Sequence, residues 1–182
     1  MPTILNAVNA YHYAREHLAN DKRPVMLHAL MLLDGEGSMP TLTLAQANRI
    51  VAQALEKARA MKIKPITVVV LDEAGHPKAM QREDGASMFR FDVATGKAWA
   101  AVGMGASSRA LAGRAKDNPN FFITLAATAG GKFLPQIGGV LIRDASGAIL
   151  GAAGASGGTG EEDEAVCAYG IEQAGLVADA KP

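Results

Sequence analysis

Charged side chains and flexible backbone meet in two segments of the chain. The first, QREDGASMFRFDVATGK at residues 81–97, places Arg82, Asp84 and Lys97 beside a predicted helix start. The second, GGKFLPQIGG at residues 130–139, adds a glycine-rich loop whose amides can approach a ligand closely. Pockets for small molecules combine a few such polar groups with apolar walls. The two segments together predict a pocket for a small anionic ligand.

Lys97 is the charge that most needs an explanation. It lies among Ala94, Ala98 and Ala101 on a helix that we expect to be buried, and an unpaired buried ammonium group is costly. It either pairs with Asp84 or an acidic residue of another subunit, or it receives a ligand carboxylate. In the second case, replacing Lys97 by Met should weaken acid binding far more than it alters the melting temperature.

His76 follows Gly75 in a predicted hairpin turn and is the candidate acid or base, because an unperturbed imidazole titrates near neutrality. A solvent-facing turn residue is the simpler interpretation. His76 and Lys97 are the candidate catalytic residues. The candidate ligand-binding residues are Arg82, Asp84, Lys97, Gly130, Gly131 and Phe133.

Competing structural roles remain for several of these residues. Asp84 with Gly85 could form a turn, and Arg82 could end a strand in a solvated ion pair. The GGK sequence lacks the spacing of a phosphate-binding loop. We interpret Gly138 and Gly139 as relieving crowding where a strand begins.

Four acidic residues open the last predicted helix, GEEDEAVCAYG, with Thr159 as N-cap. Their negative charges suit the positive end of the helix dipole. A divalent ion could use two of them, but a solvated helix terminus is the preferred interpretation, and no metal site is predicted. Cys167 on this helix is interpreted as an inert core residue.

Composition excludes several functional classes. The chain has 182 residues, with 18 basic and 18 acidic side chains, so no global field attracts nucleic acid. A single cysteine excludes an internal disulfide and fits a reducing, cytoplasmic location. The apolar stretch PVMLHALMLL is too short to span a bilayer. We therefore predict no nucleic-acid or membrane partner.

Helical and strand patterns predict a domain at residues 39–182, preceded by an accessory N-terminal arm at residues 1–38 that contains a short amphipathic helix. In the domain we expect these elements: helices at 44–61, 91–104, about 107–116 and about 161–175, strands at 66–71, 77–82, 139–144 and 148–153, and a short turn around 118–125. Two hairpins among helices indicate an α+β fold with a single antiparallel sheet flanked by helices.

This order of elements resembles the GlcG/HbpS-like family, which includes the C-terminal domain of PduO-type corrinoid adenosyltransferases. The motifs that carry the resemblance are LTLAQA (42–47), VVVLDEAGHPKAMQREDGA (68–86), ATGKAWAA (94–101), GGKFLPQIGGVLI (130–142) and GAAGASGGTGEEDEAVCAYG (151–170). The resemblance implies a single antiparallel sheet, self-association into dimers or larger rings, and, in some members, binding of haem or another tetrapyrrole such as a corrinoid.

The predicted helix at 44–61, where an iron ligand would be sought first, contains no histidine. His12, His17 and His28 lie in the arm, and only His76 lies in the shared core. Three hypotheses therefore stay open. The first is a small-ligand-binding domain for haem or another tetrapyrrole. The second is a lyase or isomerase acting on a small carboxylic acid, with Lys97 and Arg82 as anion anchors and His76 as acid or base. The third is a structural subunit whose pocket is an oligomer seam.

Overall fold

The structure, a computed structural model, describes residues 41–182. The predicted arm, with three of the four histidines, lies outside the described residues, and the domain boundary stays a prediction. The described part contains five helices and five strands in this order: α1 Leu44–Ala60, β1 Thr67–Asp72, β2 Pro77–Arg82, α2 Phe89–Met104, α3 Ser108–Asp117, α4 Pro119–Thr128, β3 Gly139–Arg143, β4 Ile149–Ser156, α5 Gly160–Gln173 and β5 Val177–Asp179.

All five strands form one antiparallel sheet in the order β2-β1-β4-β3-β5. The two predicted hairpins, β1-β2 and β3-β4, join through β1 and β4, with Thr67 opposite Ser156 and Asp72 opposite Gly151. The predicted α+β fold with a single antiparallel sheet and flanking helices is confirmed. Its central strands are buried on both faces, which explains why TVVVLD reads as a continuous apolar run.

Alternate side chains of the sheet enter two separate cores. Val68, Val70, Val140 and Ile142 pack with the apolar faces of α1 and α5, whereas Val69, Leu71 and Leu141 pack with the alanines of α2 on the other face. A third cluster joins α2 to α3 and α4 through Ala100, Leu111, Phe122 and Phe133. The sheet is therefore covered on both faces.

Capping residues determine where the two helices of the α1/α5 layer begin. The Gln46 amide donates to Thr43 Oγ1 at 3.2 Å while the Thr43 amide donates to Gln46 Oε1 at 3.0 Å, which makes a reciprocal capping box. Thr159 and Glu162 form the same arrangement at α5.

Within residues 41–182, none of the helices is both long enough and apolar enough to cross a lipid bilayer.

Two elements differ from the prediction. The segment expected to form a turn around 118–125 is helix α4, because Pro119 occupies its first turn, where a missing N–H costs nothing. The three-residue strand β5 was not predicted, since it is too short for a periodic pattern. It pairs with β3, and Arg143 Nε donates to Asp179 Oδ2 at 2.7 Å.

Glycines in the sheet allow α2 to lie directly on it. A Cβ at Gly154 would overlap the carbonyl oxygen of Ala94 and lie 3.0 Å from the Ala98 side chain. The small side chains of α2 and the absent side chain at position 154 therefore set the distance between helix and sheet.

We predict that Gly154→Ala lowers the free energy of unfolding by about 1–3 kcal/mol, because the clash is with backbone that cannot rotate away. Gly103→Ala is the control: it lies within α2, where a Cβ would meet nothing within 4 Å, and should stabilise the fold by about 0.5–1 kcal/mol. Urea unfolding measures both. Equal changes in the free energy of unfolding for the two variants would contradict the packing described for α2.

Candidate functional site

A buried ion pair lies where α2 passes the start of α5. Lys97 Nζ donates to Asp163 Oδ2 at 2.7 Å and to the Ala155 carbonyl oxygen at 3.1 Å. Lys97 is 5% exposed and Asp163 is 2% exposed. Lys97 therefore pairs with Asp163 of its own chain and not with Asp84.

The backbone between β3 and α5 makes this pair possible. Gly138 has a positive φ of 119°, and a Cβ there would lie 2.8 Å from both Lys97 Nζ and the Asp163 Cβ. A Cβ at Gly139 would overlap the Lys97 carbonyl group. The interpretation of these two glycines as relieving crowding at the start of a strand is therefore confirmed.

Asp163 is also held by the loop that precedes α5. Its Oδ1 accepts a hydrogen bond from the Gly158 amide at 3.0 Å. The interpretation of the acidic helix start as solvated is wrong for this residue, because the loop folds back and buries it against the sheet end. Burial raises the pKa of the Asp163 carboxyl, and the Lys97 ammonium and the Gly158 amide oppose that rise.

A concave pocket of about 390 Å³ opens beside the ion pair. This volume is within the roughly 300–1,000 Å³ range of small-molecule sites. We call it the Lys97 pocket. Its lining residues are Arg90, Val93, Lys97, Leu134, Gln136, Ile137, Ser156, Gly158, Gly160, Glu161 and Asp163. It therefore combines an apolar wall with charged and hydroxyl groups.

Lys97 is the one lining residue that the sequence analysis proposed for the site, and Arg90 is the second cation of the pocket, which it missed. Its Nη1 donates to Ser156 Oγ at 3.3 Å. None of the ion pairs formed among residues 41–182 includes Arg90. A signal was available, because Arg90, Val93 and Lys97 are spaced i, i+3 and i+7 and therefore share one face of α2.

Arg82 and Asp84 line a different depression, of about 410 Å³, together with Arg59, Pro65 and Glu83. Arg82 Nη1 donates to the Ala86 carbonyl at 2.6 Å, and Glu83 pairs with Arg59 at 2.7 Å. The structure therefore does not bring Arg82 or Asp84 into the Lys97 pocket, and their role in ligand binding stays a prediction.

His76 lies at the far end of the sheet from the Lys97 pocket. Its side chain is 77% exposed in the β1-β2 turn, next to Asp72, whereas the pocket residue Ser156 is opposite Thr67 at the other end of β1. At about 3.3 Å per residue, the two ends of β1 are roughly 16 Å apart. The structure therefore does not place His76 beside Lys97.

The remaining predicted residues also lie outside the pocket lining. Gly130 and Gly131 form the turn that ends α4, where the Gly131 amide donates to the Ala126 carbonyl at 3.0 Å. Phe133 is buried in the third core cluster, with its ring 5.9 Å from that of Phe122. The glycine pair beside Lys97 is thus 138–139, and a ligand role for the other three residues stays a prediction.

The sheet order and the two helical layers define an α+β domain with a pocket at one end of the sheet. Residues 42–172 match the family described as "Haem degrading protein HbpS-like". The chain therefore belongs to the HbpS-like family. A Citrobacter freundii relative, an uncharacterised 15.0 kDa protein from the dhaT-dhaS intergenic region, is 32% identical over 124 residues, covering 68% of this chain and 84% of the relative.

Solved structures share the fold. The crystal structure of a PduOC:haem complex has a TM-score of 0.69 at 23% identity and covers 77% of this chain and 99% of that one. ORFY from Klebsiella pneumoniae gives 0.68 at 23%, covering 78% and 96%. A double mutant of Streptomyces reticuli HbpS gives 0.65 at 28%, covering 76% and 90%.

We predict that Lys97→Met lowers the free energy of unfolding by about 3–5 kcal/mol at neutral pH, because it leaves the Asp163 carboxylate buried without its cation. The ion pair thus reverses the expectation that this change spares stability. Because burial raises the pKa of Asp163 above its ordinary value of 3.8, the folded variant takes up a proton that the unfolded chain does not. The loss should therefore shrink as the pH falls below the folded pKa towards 3.8.

The double variant Lys97→Met/Asp163→Leu is the matched control, since it removes both charges. It should recover most of the stability that the single variant loses. Urea unfolding at several pH values measures all three chains. A single-variant loss below about 1 kcal/mol, as for an exposed pair, would contradict the buried pair.

Proposed function

We propose that the chain is a small-ligand-binding domain of the HbpS type, with haem or another tetrapyrrole as its ligand. The observation that carries this proposal is the match of residues 42–172 to the haem-degrading HbpS-like family. The likeness to Streptomyces reticuli HbpS supports it at 28% identity.

The Lys97 pocket offers part of what a tetrapyrrole requires. Val93, Leu134 and Ile137 supply apolar contacts for a ring edge, and Arg90 supplies a cation for a peripheral carboxylate. Both features suit a flat molecule that is apolar over most of its surface and acidic at its rim.

The pocket does not fit haem iron. Haem iron takes an axial His, Cys, Met or Tyr ligand, and none of the residues lining the Lys97 pocket is of these types. Cys167 is fully buried behind it, and burial raises the pKa of its thiol, so it is a poor iron ligand. Binding in this pocket would therefore use the carboxylates and the ring edge.

The lyase or isomerase hypothesis gains no support from the geometry. It needs Lys97, Arg82 and His76 around one substrate, and they lie in the Lys97 pocket, a second depression and an exposed turn, respectively. General acid–base catalysis requires the base within hydrogen-bond reach of the substrate. The ligand-binding domain is the function that the described residues support best.

Haemin titration of the full-length chain tests the proposal. We expect a saturable Soret change that survives competition by albumin. Arg90→Gln should weaken binding, because it removes the cation for a haem carboxylate, whereas Arg114→Gln, an exposed arginine of α3, should not. A titration without a saturable change would refute the function.

His76→Ala tests, in the same assay, which end of the sheet binds haemin. We expect it to leave the haemin titration unchanged, because the β1-β2 turn is remote from the pocket. A lost or shifted Soret band in this variant would move the binding site to that turn.

Self-association, predicted from the family resemblance, belongs to the same proposal. Met88 and Phe89, at the start of α2 and next to Arg90, are 75% and 65% exposed, and a second copy of the chain would bury them. The cytoplasmic location, and the expectation that neither nucleic acid nor a membrane is a partner, stay predictions from composition.

A further inference from the structure

The two cations of the Lys97 pocket, Arg90 and Lys97, differ in the hydrogen-bond acceptors that each already has. The Lys97 ammonium already has two acceptors, Asp163 Oδ2 and the Ala155 carbonyl. Arg90 has one neutral acceptor among the described residues, Ser156 Oγ at 3.3 Å, although a guanidinium has five N–H donors. Arg90 is therefore the cation of this pocket with donors available to a ligand.

The start of α5 adds further donors to the pocket lining. Gly160 and Glu161 form the first turn of α5 and line the pocket. Amides of a first helical turn have no acceptor within their helix, and they carry a partial positive charge. The Ser156 hydroxyl, which accepts the hydrogen bond from Arg90, also lines the pocket, and residues 157–159 connect Ser156 to α5.

We propose that the Lys97 pocket recognises one carboxylate group of a small apolar molecule and that Arg90 is the residue that binds it. The planar guanidinium matches a carboxylate through two parallel hydrogen bonds, and Val93, Leu134 and Ile137 contact the apolar body. The inference rests on the proposed function in so far as both use this pocket, but it requires neither iron nor a tetrapyrrole ring.

The acidic residues of the pocket select against a more highly charged anion. Glu161 and Asp163 line it together with Arg90 and Lys97, so its two cations face two carboxylates. A phosphate monoester carries close to two negative charges at neutral pH; the second charge is repelled by Glu161 and Asp163 about as much as it is attracted by the cations, while it costs more to remove from water than a single charge does. The charge balance therefore favours a monoanion.

Three monosubstituted benzenes test this inference on the full-length chain: benzoate, its neutral isostere benzamide, and the dianion phenyl phosphate. Calorimetry gives the affinity, and the amide NMR signals of Gly158 and Glu161 report the location. We expect benzoate to bind saturably and to shift both signals, benzamide not to bind, and phenyl phosphate to bind more weakly than benzoate.

Three variants identify the binding residue. Arg90→Gln should weaken benzoate binding about 10- to 100-fold, the effect of losing hydrogen bonds to a charged group. Arg90→Lys should recover it only in part, because an ammonium cannot bind a carboxylate through a planar fork. Arg114→Gln makes the same change of charge on exposed α3 and should leave affinity unchanged. Unaltered melting temperatures show that each variant is folded.

Equal binding of benzoate and benzamide, absence of a saturable benzoate shift, or unchanged affinity in Arg90→Gln would overturn the inference. Tighter binding of phenyl phosphate would overturn the choice of a monoanion. Benzoate binding in a chain that shows no Soret change with haemin would support this inference and refute the tetrapyrrole proposal. A saturable Soret change with haemin in a chain that does not bind benzoate would refute this inference and support the proposed function.

Discussion

The buried ion pair between Lys97 and Asp163 is the constraint on which the structure around the Lys97 pocket depends. Helix α2 packs on one face of the sheet and α5 on the other, and the pair joins them past the end of β3. Two ionised groups can remain in such a place only when each satisfies the other and further hydrogen bonds complete the site. The Ala155 carbonyl and the Gly158 amide do so here. A glycine is required at position 138, because any side chain there would occupy the space of the Lys97–Asp163 pair.

This constraint also assigns the roles of the two cations in the pocket. Because Asp163 neutralises Lys97, the two side chains together add almost no net charge to the pocket lining. The pair also orients the start of α5 against the sheet. Arg90 donates to one neutral acceptor among the described residues, Ser156 Oγ, so its guanidinium keeps donors available. In this account Lys97, which looks catalytic in the sequence alone, is a positioning residue, and we propose Arg90 on the same helix as the ligand anchor.

The sequence predicts the fold well and the site only in part. Local signals were sufficient for α1, whose capping box and apolar spacing agree, and for the hairpin at Asp72, whose turn is short. They fail where a partner is remote in sequence. Asp163 is far from Lys97 along the chain, and nothing in its acidic surroundings indicates that the loop before α5 buries it. The two glycine pairs illustrate the same limit. The pairs at 130–131 and 138–139 have the same sequence, but only the pair at 138–139 contacts Lys97.

Nitrogen-15 NMR of the lysine ammonium groups tests the central pair most directly. The account predicts that the Lys97 Nζ signal is resolved from those of exposed lysines, that its protons exchange slowly with water, and that Asp163→Asn shifts it. A Lys97 signal that exchanges rapidly and coincides with the exposed lysines would contradict the buried pair, and with it the roles assigned to both cations.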